Sequence, residues 1–174
     1  IGAMVFGGTV QERLQLNEDT LWPGGPYDPV NPAARDALPA VRALIFAGRF
    51  ADAQQLANEK LMAKPLSEMS YQPPGDLLID MPGLVADAAR NYRRDLDLDA
   101  AIATTRFAAN GVGYRRQVLA APLQQVVAIR LEADRSAAVD CDIGLRSPQQ
   151  GTLSVEGDTL VFAGRNPAEN GVAG

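Results

Sequence analysis

Carboxylates are the natural acid–base groups of this chain, because its 174 residues include no histidine. That absence removes histidine-activated nucleophiles and the usual zinc ligand sets from its repertoire. The densest polar group stands at residues 14–29, LQLNEDTLWPGGPYDP. There Asn17, Glu18, Asp19 and Thr20 run into Trp22, the only tryptophan, and then into three prolines. Amides and carboxylates meet sugar hydroxyls, and indole offers an apolar plane with a polar edge, so this is the vocabulary of carbohydrate recognition. The same stretch equally fits a stiff plug over one end of a core, with Trp22 packed and Asn17 or Asp19 capping backbone. Tyr71 and Gln72, in the proline-stiffened YQPPGD, admit the same two readings.

Catalysis by paired carboxylates demands that they face each other. Glycosidases hold theirs roughly 5 to 9.5 Å apart across the bond to be cut. Glu18 and Asp19 are adjacent, and on a strand they would point to opposite faces. Asp95, Asp97 and Asp99 in RRDLDLD share one strand face at period two, the pattern of a solvated face with Arg93 and Arg94 alongside for charge pairing. Neither set builds an active site. Cys141 is the only cysteine, so there is no internal disulfide, and between two aspartates it reads as a small core hydrophobe. No cofactor and no metal is called for.

The elements that must position these groups follow from periodicity. Leu14 and Leu16 alternate with Gln15 and Asn17, the period of a half-buried strand. IGAMVFGG and RLQLNE are therefore two strands joined around residues 9–12. Asn31 and Pro32 form a helix start, Pro39 begins a second short helix, and Gly48 is placed to end it. Phe50, Ala53, Leu56, Ala57 and Leu61 then recur at helical spacing, so residues 32–63 form an insert of two or three helices. That apolar stripe is expected to pack against the sheet. DLLIDM is a strand, and after a loop at residues 82–90 strands follow at 92–98, 101–108, 112–121, 125–133 and 137–145, with a last hairpin in SVEGDTLVF. Asn110 and Gly111 make a tight hairpin turn. The pattern predicts a mainly β fold, a β-sandwich with a helical insert, in a single incomplete domain.

Composition closes off other classes. Net charge is −5, no segment carries a basic stripe, and nucleic-acid binding is excluded as a function. Apolar runs are broken before membrane-spanning length, so no membrane partner is expected. Residues 1–8 lack a basic leader region and look like a strand interior cut at its left end. The closing AGRNPAENGVAG follows a hairpin without capping structure. Both ends read as cuts through a larger fold, which would leave exposed strand edges and a tendency to self-associate.

The strings GAMVFGG, ERLQLNEDTLWPGGP, NPAARDALPAVRALIFAGRFADAQQLANEKLM, YQPPGDLLID and YRRDLDLDAAIA, in that order and spacing, resemble the N-terminal domain of glycoside hydrolase family 95. The likeness runs from Gly2 to about Ser147. Pro23, Pro74 and Ala121 depart from its usual Ser, Leu and Ser, and none of them is an acid or base. The resemblance implies an α-L-fucosidase that releases terminal, typically α-1,2-linked, fucose from glycans with inversion. It also implies an N-terminal sandwich before a catalytic α/α barrel that supplies a Glu general acid and an Asn/Asp-activated water. The chain would then hold no catalytic group, and its partners would be its own barrel and, in the parent, a fucosylated glycan. Asn17, Glu18, Asp19, Thr20, Trp22, Tyr71 and Gln72 are the candidates for substrate-cleft or barrel contact. A carbohydrate-binding module and a purely structural sandwich are the competing readings, and the helical insert weighs against the first.

Overall fold

The computed structural model describes residues 1–165 and 167–169. Asn166 and residues 170–174, part of the segment read above as an uncapped end, lie outside the described residues. In chain order the elements are β1 (Gly2–Val5), β2 (Gln11–Asn17), α1 (Ala34–Phe46), α2 (Phe50–Lys60), β3 (Gly75–Asp80), β4 (Arg90–Asp97) and β5 (Ile102–Ala109). They continue with β6 (Val112–Ala121), β7 (Val126–Ala133), β8 (Asp142–Arg146), β9 (Gly151–Glu156) and β10 (Thr159–Gly164). This is the expected mainly β sandwich with a helical insert. Two compact units hold these elements: Ile1–Leu21 with Gln72–Arg165, and Trp22–Tyr71 with residues 167–169.

Among the described residues the first unit contains all the strands. One antiparallel sheet has the order β1-β2-β3-β8, a second β4-β5-β6-β7, and β9 pairs with β10. Period-two alternation turns Leu14 of β2 and Ile79 of β3 inward, where they meet Val118 of β6, with Val127 and Ile129 of β7 packed alongside. A second cluster of Met81, Leu84, Phe107 and Ala109 continues the core. Phe107 and Tyr114, register partners, stack at 5.2 Å between centroids. Cys141 packs against both clusters, as a small hydrophobe would. The hairpin between β5 and β6 turns on Asn110 and Gly111, both with positive φ (51° and 72°), the type I′ geometry that their sequence favours.

Two charged residues occupy inward positions. Glu12 of β2 is 0% exposed and Arg116 of β6 is 3% exposed, and Arg116 Nη2 donates to Glu12 Oε2 across the sandwich. The other carboxylate oxygen of Glu12 accepts three backbone N–H groups, from Gly7 at 2.8 Å, Arg13 at 3.0 Å and Phe6 at 3.1 Å. Burial pulls the Arg116 guanidinium below its ordinary pKa, opposed by the charge and hydrogen bond of Glu12 and by the charge of Tyr92. Arg116 Nε is buried without a partner among the described residues.

The turn that follows β1 is held from the second sheet by side chains. Arg94 donates to the carbonyls of Phe6 (2.9 Å) and Val5 (3.0 Å), Tyr92 Oη to Gly7 (2.8 Å), and Arg116 to Gly8 (2.6 Å). This explains why the sequence there reads Phe-Gly-Gly. Gly7 has φ +78°, and a Cβ on it would lie 2.6 Å from Arg94 Cδ and 2.7 Å from Tyr92 Oη. One on Gly8 would lie 1.9 Å from the Gln11 carbonyl oxygen. The strand expected over residues 1–8 therefore ends at Val5, and β2 begins at Gln11, earlier than the Arg13 of the expected RLQLNE.

In the second unit α1 and α2 pack on each other. Pro39 lies inside α1 and begins no helix of its own. Its missing N–H forfeits one hydrogen bond, yet α1 runs on to Phe46, nearly two further turns, with Val41 buried. The stop at Gly48 (φ +73°) is a Schellman closure: Gly48 N–H bonds Ile45 O at 3.0 Å and Arg49 N–H bonds Leu44 O at 2.9 Å. Asn31 opens the turn into α1 by accepting from Ala33 N–H, and its Nδ2 reaches the carbonyls of Lys60 and Met62 at the end of α2. On the expected stripe only Ala53 is fully buried, while Phe50 is 67% exposed.

Two substitutions test this frame. Glu12→Leu leaves a buried guanidinium without its counter-charge and the Gly7 amide without its acceptor, and denaturant unfolding of the chain should show a loss of about 3–5 kcal/mol. A loss below about 1 kcal/mol, the range of an exposed ion pair, would contradict the account. Gly7→Ala combines a left-handed φ with the collision on Arg94 and Tyr92, so the same measurement should read a loss of about 1–3 kcal/mol.

Candidate functional site

Strand β2 ends at Asn17, whose Cα partner is Gly2. Glu18 is therefore not on a strand, and the opposite-faces argument for Glu18 and Asp19 does not apply. Glu18 instead closes a turn with its own side chain. Its Oε2 accepts from Thr20 N–H at 3.0 Å and from Thr20 Oγ1 at 2.5 Å, and its carbonyl receives Leu21 N–H at 3.4 Å. A carboxylate so engaged shapes a loop. Asn17, Asp19 and Thr20 are exposed and Glu18 is half-buried. Leu21 O accepts from Gln72 N–H at 2.9 Å, so the first unit brings the 17–21 turn and the Gln72 segment side by side.

In the second unit Trp22 and Tyr71 meet edge to face, 5.5 Å between centroids at 69°. Trp22 remains 42% exposed. Pro23 behind it is buried, and Gly24 (φ +75°) donates its N–H to Pro167 O at 2.8 Å. Ser70 is anchored likewise, its N–H and Oγ both bonded to the Glu169 carboxylate at 2.9 and 2.8 Å. Trp22, partly exposed and held against Tyr71, is a residue type suited to stacking on an apolar sugar face or a partner side chain.

The aspartate row has structural partners. Asp95 pairs with Arg106 at 2.9 Å and Arg93 at 3.4 Å, and Asp97 caps the next turn by accepting from Asp99 and Ala100 N–H. Among the described residues no group of three or more His, Cys, Asp or Glu side chains is gathered to hold a metal. No helix there is long and apolar enough to cross a membrane.

Sequence reading passed over Glu12, Arg116 and Tyr92, and it took Arg94 for a charge partner of the aspartates, whereas Arg94 donates to the carbonyls of Phe6 and Val5. The signal for the first was present: Glu12 shares the parity of Leu14 and Leu16, which makes it a charge at an inward position. Arg116 shares the parity of Val112 and Val118 in the same way.

The chain matches the family described as glycosyl hydrolase family 65, N-terminal domain, over residues 1–173. It is 32% identical over 148 residues to alpha-L-fucosidase 2 of Arabidopsis thaliana, an alignment covering 84% of this chain and 17% of that protein. It is also 32% identical over 143 residues to probable alpha-fucosidase A of Aspergillus niger, covering 78% of this chain and 17% of that protein. The chain thus spans about a sixth of the length of the curated relatives it matches. With a match running from its first residue to Val172 and beyond, this chain belongs to the glycosyl hydrolase family 65 N-terminal domain family.

Proposed function

We propose that the chain is the non-catalytic N-terminal domain of an α-L-fucosidase of the family 95 type. The parent would hydrolyse terminal, α-1,2-linked fucose with inversion. The observation that carries this reading is that two proteins named as α-fucosidases align with 84% and 78% of this chain. The ordered motifs from GAMVFGG to YRRDLDLDAAIA support the narrower family. The internal use of Glu18 supports placing proton transfer on a barrel outside this sequence.

In this reading the domain braces that barrel and lines its substrate cleft with Asn17, Glu18, Asp19, Thr20, Trp22, Tyr71 and Gln72. A loop held by Pro23, Gly24 and the Glu18 carboxylate meets a ligand with little conformational entropy left to lose. Phe46 and Phe50, 87% and 67% exposed on the helices, are part of the face that the barrel would cover. Without it, the chain is expected to associate with itself through that face and the sheet edges.

Three outcomes check the reading. The 174-residue chain should release nothing above blank from an aryl α-L-fucoside; turnover that vanishes in Glu18→Gln would place catalysis here instead. In the full-length parent, Glu18→Gln keeps an acceptor for Thr20 but removes the charge, and Trp22→Ala removes the stacking face. Each should lower kcat/KM about tenfold with Tm nearly unchanged. A loss of roughly 2 kcal/mol of stability with activity per folded molecule intact would make the loop a plug. Sedimentation of the isolated chain should show concentration-dependent association; a monomer at every concentration, binding no hydrophobic dye, would contradict the covered face.

A further inference from the structure

The outer face of the first sheet carries a polar row that none of these roles uses. The strand register sets Gln15 opposite Asp76, and Asp76 opposite Arg146. A groove of about 340 Å3 opens over this row, lined by Arg13, Gln15, Asp76 and Arg146 between Pro73 and Pro148. That volume is at the small end of ligand sites, about the size that a single sugar residue with its waters would fill.

The two arginines are held differently. Arg146 donates to Asp76 Oδ2 at 2.7 Å, while most of its side chain stays in solvent. Arg13 Nη1 lies 3.7 Å from the same oxygen, beyond hydrogen-bond length. Its guanidinium is stacked on the Phe6 ring, 3.7 Å from the centroid. The stack fixes the plane of the Arg13 fork, and among the described residues none of its side-chain N–H groups makes a hydrogen bond. One aspartate facing two arginines leaves one positive charge uncompensated, in a chain whose net charge is −5. That charge resides on the Arg13 fork, which is oriented by Phe6 and makes no hydrogen bond among the described residues.

The mixture of groups selects the ligand. Two guanidiniums fit a carboxylate as planar, bidentate donors. Asp76, half-buried between them at 13% exposure, is an acceptor that repels a second anionic oxygen and needs a donor such as a hydroxyl. A phosphate crowds its charged oxygens around one phosphorus, so that those not on the arginines would face the Asp76 carboxylate. A neutral sugar brings donors and no charge. A sugar acid brings one carboxylate and several hydroxyls together.

We propose that this groove is a binding site for an acidic sugar, a hexuronate unit, with its carboxylate on Arg13 and Arg146 and a hydroxyl donating to Asp76. Gln15 supplies both a donor and an acceptor to the neighbouring ring positions. The site does not depend on what the parent hydrolyses: uronate binding can fail while the fucosidase reading stands, and the reverse.

Titration of the 15N-labelled 174-residue chain tests it, with glucuronate and galacturonate as ligands and glucose and inorganic phosphate as the comparison arms. Saturable shifts at the amides of Arg13, Gln15, Asp76 and Arg146 are expected with at least one uronate, and none with glucose. Arg13→Gln and Arg146→Gln should each weaken binding about tenfold or more, the loss of a charge-assisted contact. Arg93→Gln, an exposed arginine on β4, should leave it unchanged. If Arg13→Gln loses its fold by circular dichroism, the exposed Arg146→Gln carries the decision alone. No saturable shift with either uronate, equal binding of glucose or phosphate, or affinity indifferent to the Arg146 change would overturn the proposal.

Discussion

A buried ion pair, Glu12 with Arg116, is the constraint around which the sandwich is arranged. Pairs of this kind are poor sources of stability, because withdrawing two charges from water offsets what their attraction returns. This one is tolerable because Glu12 also takes three backbone N–H groups, and Arg116 also takes the Gly8 carbonyl. What the arrangement supplies is register. It ties the turn after β1 to β6, while Tyr92 and Arg94 tie the same turn to β4. The two sheets are joined by directional bonds at one point and by apolar contact at Leu14, Ile79 and Val118 elsewhere.

Register then decides what the outer face presents. Side chains alternate, so fixing Glu12 inward turns Gln11, Arg13 and Gln15 outward, and a slip of one residue would exchange the two sets. The row from Gln15 through Asp76 to Arg146 and the inward carboxylate are consequences of one alignment. The same strand delivers Asn17 to its end, where Glu18 folds back on Thr20 and begins the polar turn. Inward core residues and outward polar residues therefore alternate along a single strand of seven residues.

Much of this was legible in the amino-acid order, and the gaps have physical causes. The serial strands from Tyr92 onward, the Asn110-Gly111 turn and the Gly48 stop rest on local chemistry and stand close to where the pattern placed them, except that the strand expected over 137–145 is confined to Asp142–Arg146. Pro39 misled because a proline's preference for a helix start is weak beside the packing that carries α1 through it. The 1–8 segment misled for a different reason: Phe6, Gly7 and Gly8 are shaped by side chains more than eighty positions away. Glu12 and Arg116 are 104 positions apart, and no local pattern pairs them. For the 17–22 loop, residue types pointed to polar recognition, but only the fold reveals that Glu18 is occupied with its own turn and that Trp22 rests against Tyr71.

Native-state hydrogen exchange at the Gly7 amide tests the central claim most directly. Its hydrogen bond runs to the Glu12 carboxylate, so its protection reports on the buried pair and the turn anchored to it. The account predicts that Gly7 N–H exchanges only through global unfolding, with the same opening free energy as the amides of Leu14 and Ile79. Exchange faster than theirs by orders of magnitude, through local opening of the turn while the core stays closed, would contradict it.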